Sequence, residues 1–193
     1  MKRLIYAVAV VLMGVAATGC STHALPRYAV STGNVAELRK IKSTPVAIGS
    51  FMTAGPDVAD SIFCRAVGPI KTPDGETYAD YIKKALVSEL TMVEMYDAKS
   101  ALVLSGKLTT FSFDSQRGVW DMALRLKSSN GKQLSVSEKY DYGFNWFAVV
   151  ACAQTAQAGM SAVQNLIHKA VSDPGFSSLL PQPRAGSAVN PIQ

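Results

Sequence analysis

Three cysteines and two histidines carry most of the reactive chemistry open to this chain of 193 residues. Cys64 and Cys152 lie too far apart in sequence for the Cys-x-x-Cys spacing of thioredoxin-like redox sites. Outside the cytoplasm such a pair is expected to close a structural disulfide. In the chain-entropy view so long a loop is worth roughly 4–5 kcal/mol; the alternative is two buried thiols acting as small apolar side chains. His23 stands near the N-terminus, and His168 flanks the apolar stripe of a helix near the domain surface. With two histidines and no close Cys/His spacing, no zinc site is expected. There is no Gly-x-Ser-x-Gly and no glycine-rich phosphate loop. No nucleophile, base and orienter stand together, so the sequence assigns no catalytic residue, no cofactor and no metal. The remaining candidate is the aromatic run Tyr140, Tyr142, Phe144, Trp146, Phe147. Most of it reads as the inner face of a strand turning into a helix. Trp146 and Phe147 are adjacent and cannot both face inward, which makes this pair the candidate partner contact.

The elements that must position these residues follow from hydrophobic periodicity. Val46–Phe51 reads as a first strand, followed by a long loop broken at Gly55-Pro56, Gly68-Pro69 and Pro73-Asp74-Gly75. Tyr78, Ile82, Leu86, Leu90 and Val93 repeat at helical spacing over 78–96, with Lys83, Lys84, Glu89 and Glu94 off the stripe. Thr77 and Asp80 form a capping pair at its start. Ala101–Phe113 is a second strand whose inward parity changes after Leu108, which predicts a bulge near Thr109-Thr110. Trp120, Met122, Leu124 and Leu126 alternate with polar residues in a third strand.

A fourth strand carries Leu134, Val136, Tyr140, Tyr142 and Phe144 inward. A three-residue loop, Ser129-Asn130-Gly131, pairs Leu126 with Leu134 and Leu124 with Val136; a two-residue turn would put Leu126 opposite Ser135 on the wrong face. The second helix spans about 148–171, buries Cys152, Ala156, Met160, Val163, Ile167 and Ala170, and ends at Asp173-Pro174-Gly175. Its small residues, Ala151, Ala153, Ala158 and Gly159, allow close packing on a sheet. A short amphipathic piece, 176–180, completes the domain. The order β-α-β-β-β-α predicts an α+β two-layer sandwich: a mixed sheet of about four strands with both helices on one face. Lys107, Arg125, Lys127, Lys139, Asp121 and Asp141 would lie on the other.

The N-terminus gives an address. Lys2 and Arg3 precede an apolar stretch from Leu4 to Ala17, and Ala17-Thr18-Gly19 presents small residues at a cut before Cys20. This is the layout of a secretory signal peptide over 1–19, and the apolar run is too short for a membrane span. The Gly19-Cys20 step resembles the lipobox of bacterial lipoproteins, although Ala17 stands where most carry Leu. That resemblance implies lipidation of Cys20 and a membrane anchor. Ser21, rather than Asp, implies the outer membrane. The expected organisation is therefore a lipidated tether over 20–44, one domain over 45–180 and a Pro-rich disordered tail over 181–193. Without Lys2 and Arg3 the formal charge falls from +5 to +3. No Lys/Arg cluster suggests nucleic-acid binding.

Element order after a lipobox resembles the small YajG-type lipoproteins of Gram-negative bacteria and is similar in outline to auxiliary lipoproteins of ABC-type envelope transport systems. The points of resemblance are Ala17-Thr18-Gly19-Cys20, the helix over 78–96, the hairpin at Asn130-Gly131 and Asp173-Pro174-Gly175-Phe176. It implies a non-catalytic, periplasm-facing interaction domain with an envelope protein partner. In the transport case it implies a lipid-handling component that takes phospholipid.

Overall fold

In a computed structural model, residues 23–41, 43–55 and 61–181 are described. The expected signal segment 1–19, Cys20 and the expected tail beyond Pro181 lie outside them. The main sheet has the order β2-β5-β6-β7, built from β2 (Ala47–Thr53), β5 (Val103–Asp114), β6 (Val119–Ser128) and β7 (Gln133–Asp141). β2 pairs parallel with β5, and the other pairs are antiparallel. Helix α2 (Tyr78–Met92) lies over β2 and β5, and α3 (Ala148–Ser172) over β6 and β7. This is the expected α+β sandwich. Its core joins Tyr78, Ile82, Leu86 and Leu90 of α2 to Leu104, Leu108, Trp120, Met122, Leu124 and Leu126 of the sheet. Lys107, Arg125, Lys127 and Lys139 are exposed on the far face.

Strand register follows the hydrophobic pattern closely. Leu126 pairs with Leu134 and Leu124 with Val136. The β6–β7 loop is Ser129-Asn130-Gly131, with Gly131 at φ +88°. β5 shifts register between Leu108 and Thr110, which turns Phe111 inward after Leu108. The Thr77 hydroxyl accepts the Asp80 backbone N–H at 3.0 Å and caps α2. That helix stops at Met92, earlier than its periodicity suggests. Beyond it Met95 packs inward and Tyr96 bridges Val46.

Two segments depart from expectation. The presumed loop after β2 contains a hairpin, β3 (Ser61–Cys64) and β4 (Gly68–Lys71). Gly68-Pro69 sits inside β4, where a breaker is tolerable. Among the described residues β1 (His23–Ala24) flanks β4 at Ile70 and Lys71, and Pro69 pairs with Phe63 of β3. The expected tether is likewise part of the fold from His23 onward. β1 completes a three-stranded sheet, and α1 (Thr32–Leu38) packs against α3 and α2. Leu25 and Leu38 are buried. A Cβ on Gly159 would lie 2.7 Å from the Leu25 side chain, so this glycine admits the N-terminal segment rather than the sheet. α4 (Phe176–Leu179) closes the domain, with Phe176 and Leu179 buried.

Candidate interaction surface

The cysteine pair and the aromatic run meet at one end of the domain. Cys64 ends β3 and is bonded to Cys152 in the first turns of α3, with Cα atoms 5.9 Å apart. This pins the hairpin tip, Arg65–Val67, beside the connection from β7 to α3. Arg65 adopts φ +48° and joins three elements. Its guanidinium donates to the Ser115 hydroxyl at 3.1 Å and the Ser115 carbonyl at 2.7 Å in the β5–β6 turn. A third bond reaches the Trp146 carbonyl at 3.4 Å.

Alternation along β7 delivers Tyr140 and Tyr142 to the core edge, and there it stops. The Tyr142 hydroxyl bonds Thr155 at 2.6 Å, and its backbone N–H donates to the Gly118 carbonyl at 2.7 Å. Burial raises the Tyr142 phenol above its usual range. Gly143 then takes φ +95°, a left-handed conformation that L side chains rarely adopt. The chain swings outward, and Phe144 is exposed rather than inward. Asn145 accepts the Phe147 N–H at 3.0 Å and sets the entry to α3.

The result is an apolar edge facing solvent. Trp146 is 84% exposed and Phe147 76%, with Phe144, Val149 and Val150 exposed beside them in sequence. Phe144 and Trp146 stack edge to face, with ring centroids 4.9 Å apart. Exposed single apolar residues are ordinary, whereas a set grouped around a tryptophan is the candidate contact surface of this domain. The disulfide, Arg65 and the Gly118–Gly143 approach hold its backbone before any partner arrives, which lowers the ordering cost of contact. Adjacency called for one of Trp146 and Phe147 to face outward, and the structure exposes both. The sequence reading missed Phe144, whose signal was Gly143, and it missed Arg65.

A second polar cluster has a structural role. Glu89 is fully buried. Its Oε1 accepts from the Tyr28 hydroxyl at 2.5 Å, the Ser31 N–H at 2.9 Å and the Asn34 amide at 3.0 Å. His168, exposed on α3, contacts Asn34 at 3.1 Å through Nδ1. Burial first, then the Glu89 carboxylate, drives the Tyr28 phenol well above its usual range. These groups clasp the N-terminal segment to α2 and α3. His23 lies in β1. Among the described residues, no group of three His, Cys, Asp or Glu is placed to hold a metal ion, and no helix is long and apolar enough to cross a membrane.

No family model matches the chain, and no curated protein matches it in sequence. A solved structure shares the fold. It is protein XCC0632 from Xanthomonas campestris, described by the DUF330 family model. The TM-score is 0.54 at 11% identity, over 82% of this chain and 96% of that one. At that identity the likeness concerns the fold alone.

Proposed function

We propose that this chain is a non-catalytic cell-envelope lipoprotein of YajG-like type. In this reading Cys20 is lipidated after removal of 1–19, and a folded contact domain faces the periplasm from the outer membrane. The observation that carries the reading is the exposed, rigidly mounted edge at Trp146 and Phe147. Such an edge loses solubility for its own domain and gains only by meeting another surface. The Cys64–Cys152 bond supports an oxidising compartment.

The test is photo-crosslinking in intact cells from a probe at Phe147, followed by mass spectrometry of captured proteins and lipids. Specific capture of an envelope protein or of phospholipid supports the contact role. A blank, with the protein folded and abundant, refutes it. The same aromatic edge favours a second reading, an auxiliary lipid-handling lipoprotein of an ABC-type transport system, because aromatic faces grip acyl chains. Co-purification of phospholipid with a permease or substrate-binding component would select that reading.

A further inference from the structure

We propose that the occupant of the Phe144–Val150 edge is the phospholipid surface of the membrane that holds Cys20, so that the domain stands on this end. The inference rests on the lipidation of Cys20 proposed above. Its structural basis is the direction in which the chain enters β1. β1 is parallel to β4, with His23 opposite Ile70 and Ala24 opposite Lys71. The chain therefore enters β1 from the Gly68 side, where the β3–β4 hairpin turns. That turn is the one tied to Cys152 by the disulfide and to Trp146 by Arg65. The chain entry and the exposed aromatic edge thus share one end of the domain.

Chain length sets the clearance. Three residues from Cys20 to His23 span at most about 11 Å. The step from Ile70 back to Gly68 uses about 7 Å along the strand. Even fully extended, Cys20 reaches only about 4 Å past the level of Gly68. A single helix of a protein partner is about 10–12 Å across. A folded partner does not fit between this end and an anchor so close, whereas a bilayer needs no gap. The residues present suit the interface: tryptophan sits at the headgroup level, with phenylalanine and valine toward the acyl chains. Arg65 and Arg117 lie in the turns of the same end, Arg65 bonded to Ser115 and Arg117 paired with Asp114.

The chain's own tryptophans report on this. Of the two, Trp120 is buried in the core and Trp146 is exposed. The mature lipidated protein is reconstituted into liposomes whose phospholipids carry bromine at stepped acyl depths. The expected result is loss of most Trp146 emission, strongest for bromine nearest the headgroups, with no depth-dependent quenching left in Trp146→Phe. Unquenched Trp146 emission from protein that floats with the liposomes overturns the proposal; the edge then faces the periplasm and takes a protein. Protein that fails to float lacks the anchor, which overturns the lipidation reading and this inference with it.

Discussion

Replacing Glu89 by alanine should loosen the N-terminal segment from the rest of the domain. Glu89 is fully buried, and one of its oxygens receives Tyr28, Ser31 and Asn34. Asn34 retains a second acceptor, the Gln164 carbonyl at 3.2 Å. The Tyr28 hydroxyl and Ser31 N–H lose the acceptor that holds them. Each of the two orphaned donors, part-buried here, costs about 1–2 kcal/mol, and the vacated side-chain volume adds about 1 kcal/mol more. The expected loss is roughly 3–5 kcal/mol, read as a lower urea midpoint at neutral pH with little change in slope. Tyr28→Phe should cost about 1.5 kcal/mol in the native background, as one hydrogen bond to a charged group. In the Glu89→Ala background it removes an orphaned hydroxyl and should cost nothing or stabilise. The cycle therefore predicts a coupling of at least about 1.5 kcal/mol. Amide exchange in α1 should accelerate more in Glu89→Ala than exchange in β6 does. A Glu89→Ala loss under about 1 kcal/mol, or strictly additive substitutions, would refute the clasp.

Paired Cys64→Ser and Cys152→Ser substitutions should lower stability by roughly 4–5 kcal/mol through the freed loop, measured as a drop in thermal midpoint that reductant reproduces in the native protein. Gly118→Ala should be among the most damaging single changes: φ is +72° and a Cβ there meets the Gly143 carbonyl. A cost of about 2 kcal/mol or more is expected from denaturant curves, against a few tenths for Gly55→Ala, where no described residue lies within 4 Å of the added Cβ. Burial raises the phenols of Tyr28, Tyr81 and Tyr142 above the usual value of 10.0. Their unfolded forms ionise first, so this part of stability is complete below pH 10 and declines as pH rises through the raised folded values. Alkaline titration should show tyrosinate absorbance lagging until the near-ultraviolet circular dichroism collapses. An early, full tyrosinate signal from folded protein would contradict the burial.

The sandwich was legible because its strands alternate and its helices repeat over long windows. Leu124 and Leu126 leave one register in which apolar residues meet, and the structure adopts it. The parity change after Leu108 required an extra residue, and β5 has one. The N-terminal segment was not legible because single anchors hold it, namely Leu25 against Gly159, Leu38 in the core and Tyr28 on Glu89. No period links those positions, and the hydrogen-bond partners lie more than fifty residues away. Glu89 read as solvent-facing because charge usually marks the wet side of a helix, and tertiary hydrogen bonds reverse that assignment here. The β3–β4 hairpin was hidden by four-residue strands and by Gly68-Pro69, which reads as a breaker. At the surface site, adjacency marked one of Trp146 and Phe147 as outward, and both are. Phe144 was misassigned because strand parity was carried through Gly143, where the backbone leaves the extended region.

The central claim is that the mature protein begins at a lipidated Cys20. It is tested most directly by mass spectrometry of the N-terminal peptide from protein extracted out of membranes. The account predicts a peptide beginning at Cys20 that carries a thioether-linked diacylglycerol and an acylated amino group. A peptide beginning at Cys20 with a free thiol and free amine, or an intact segment 1–19 still attached, would contradict it.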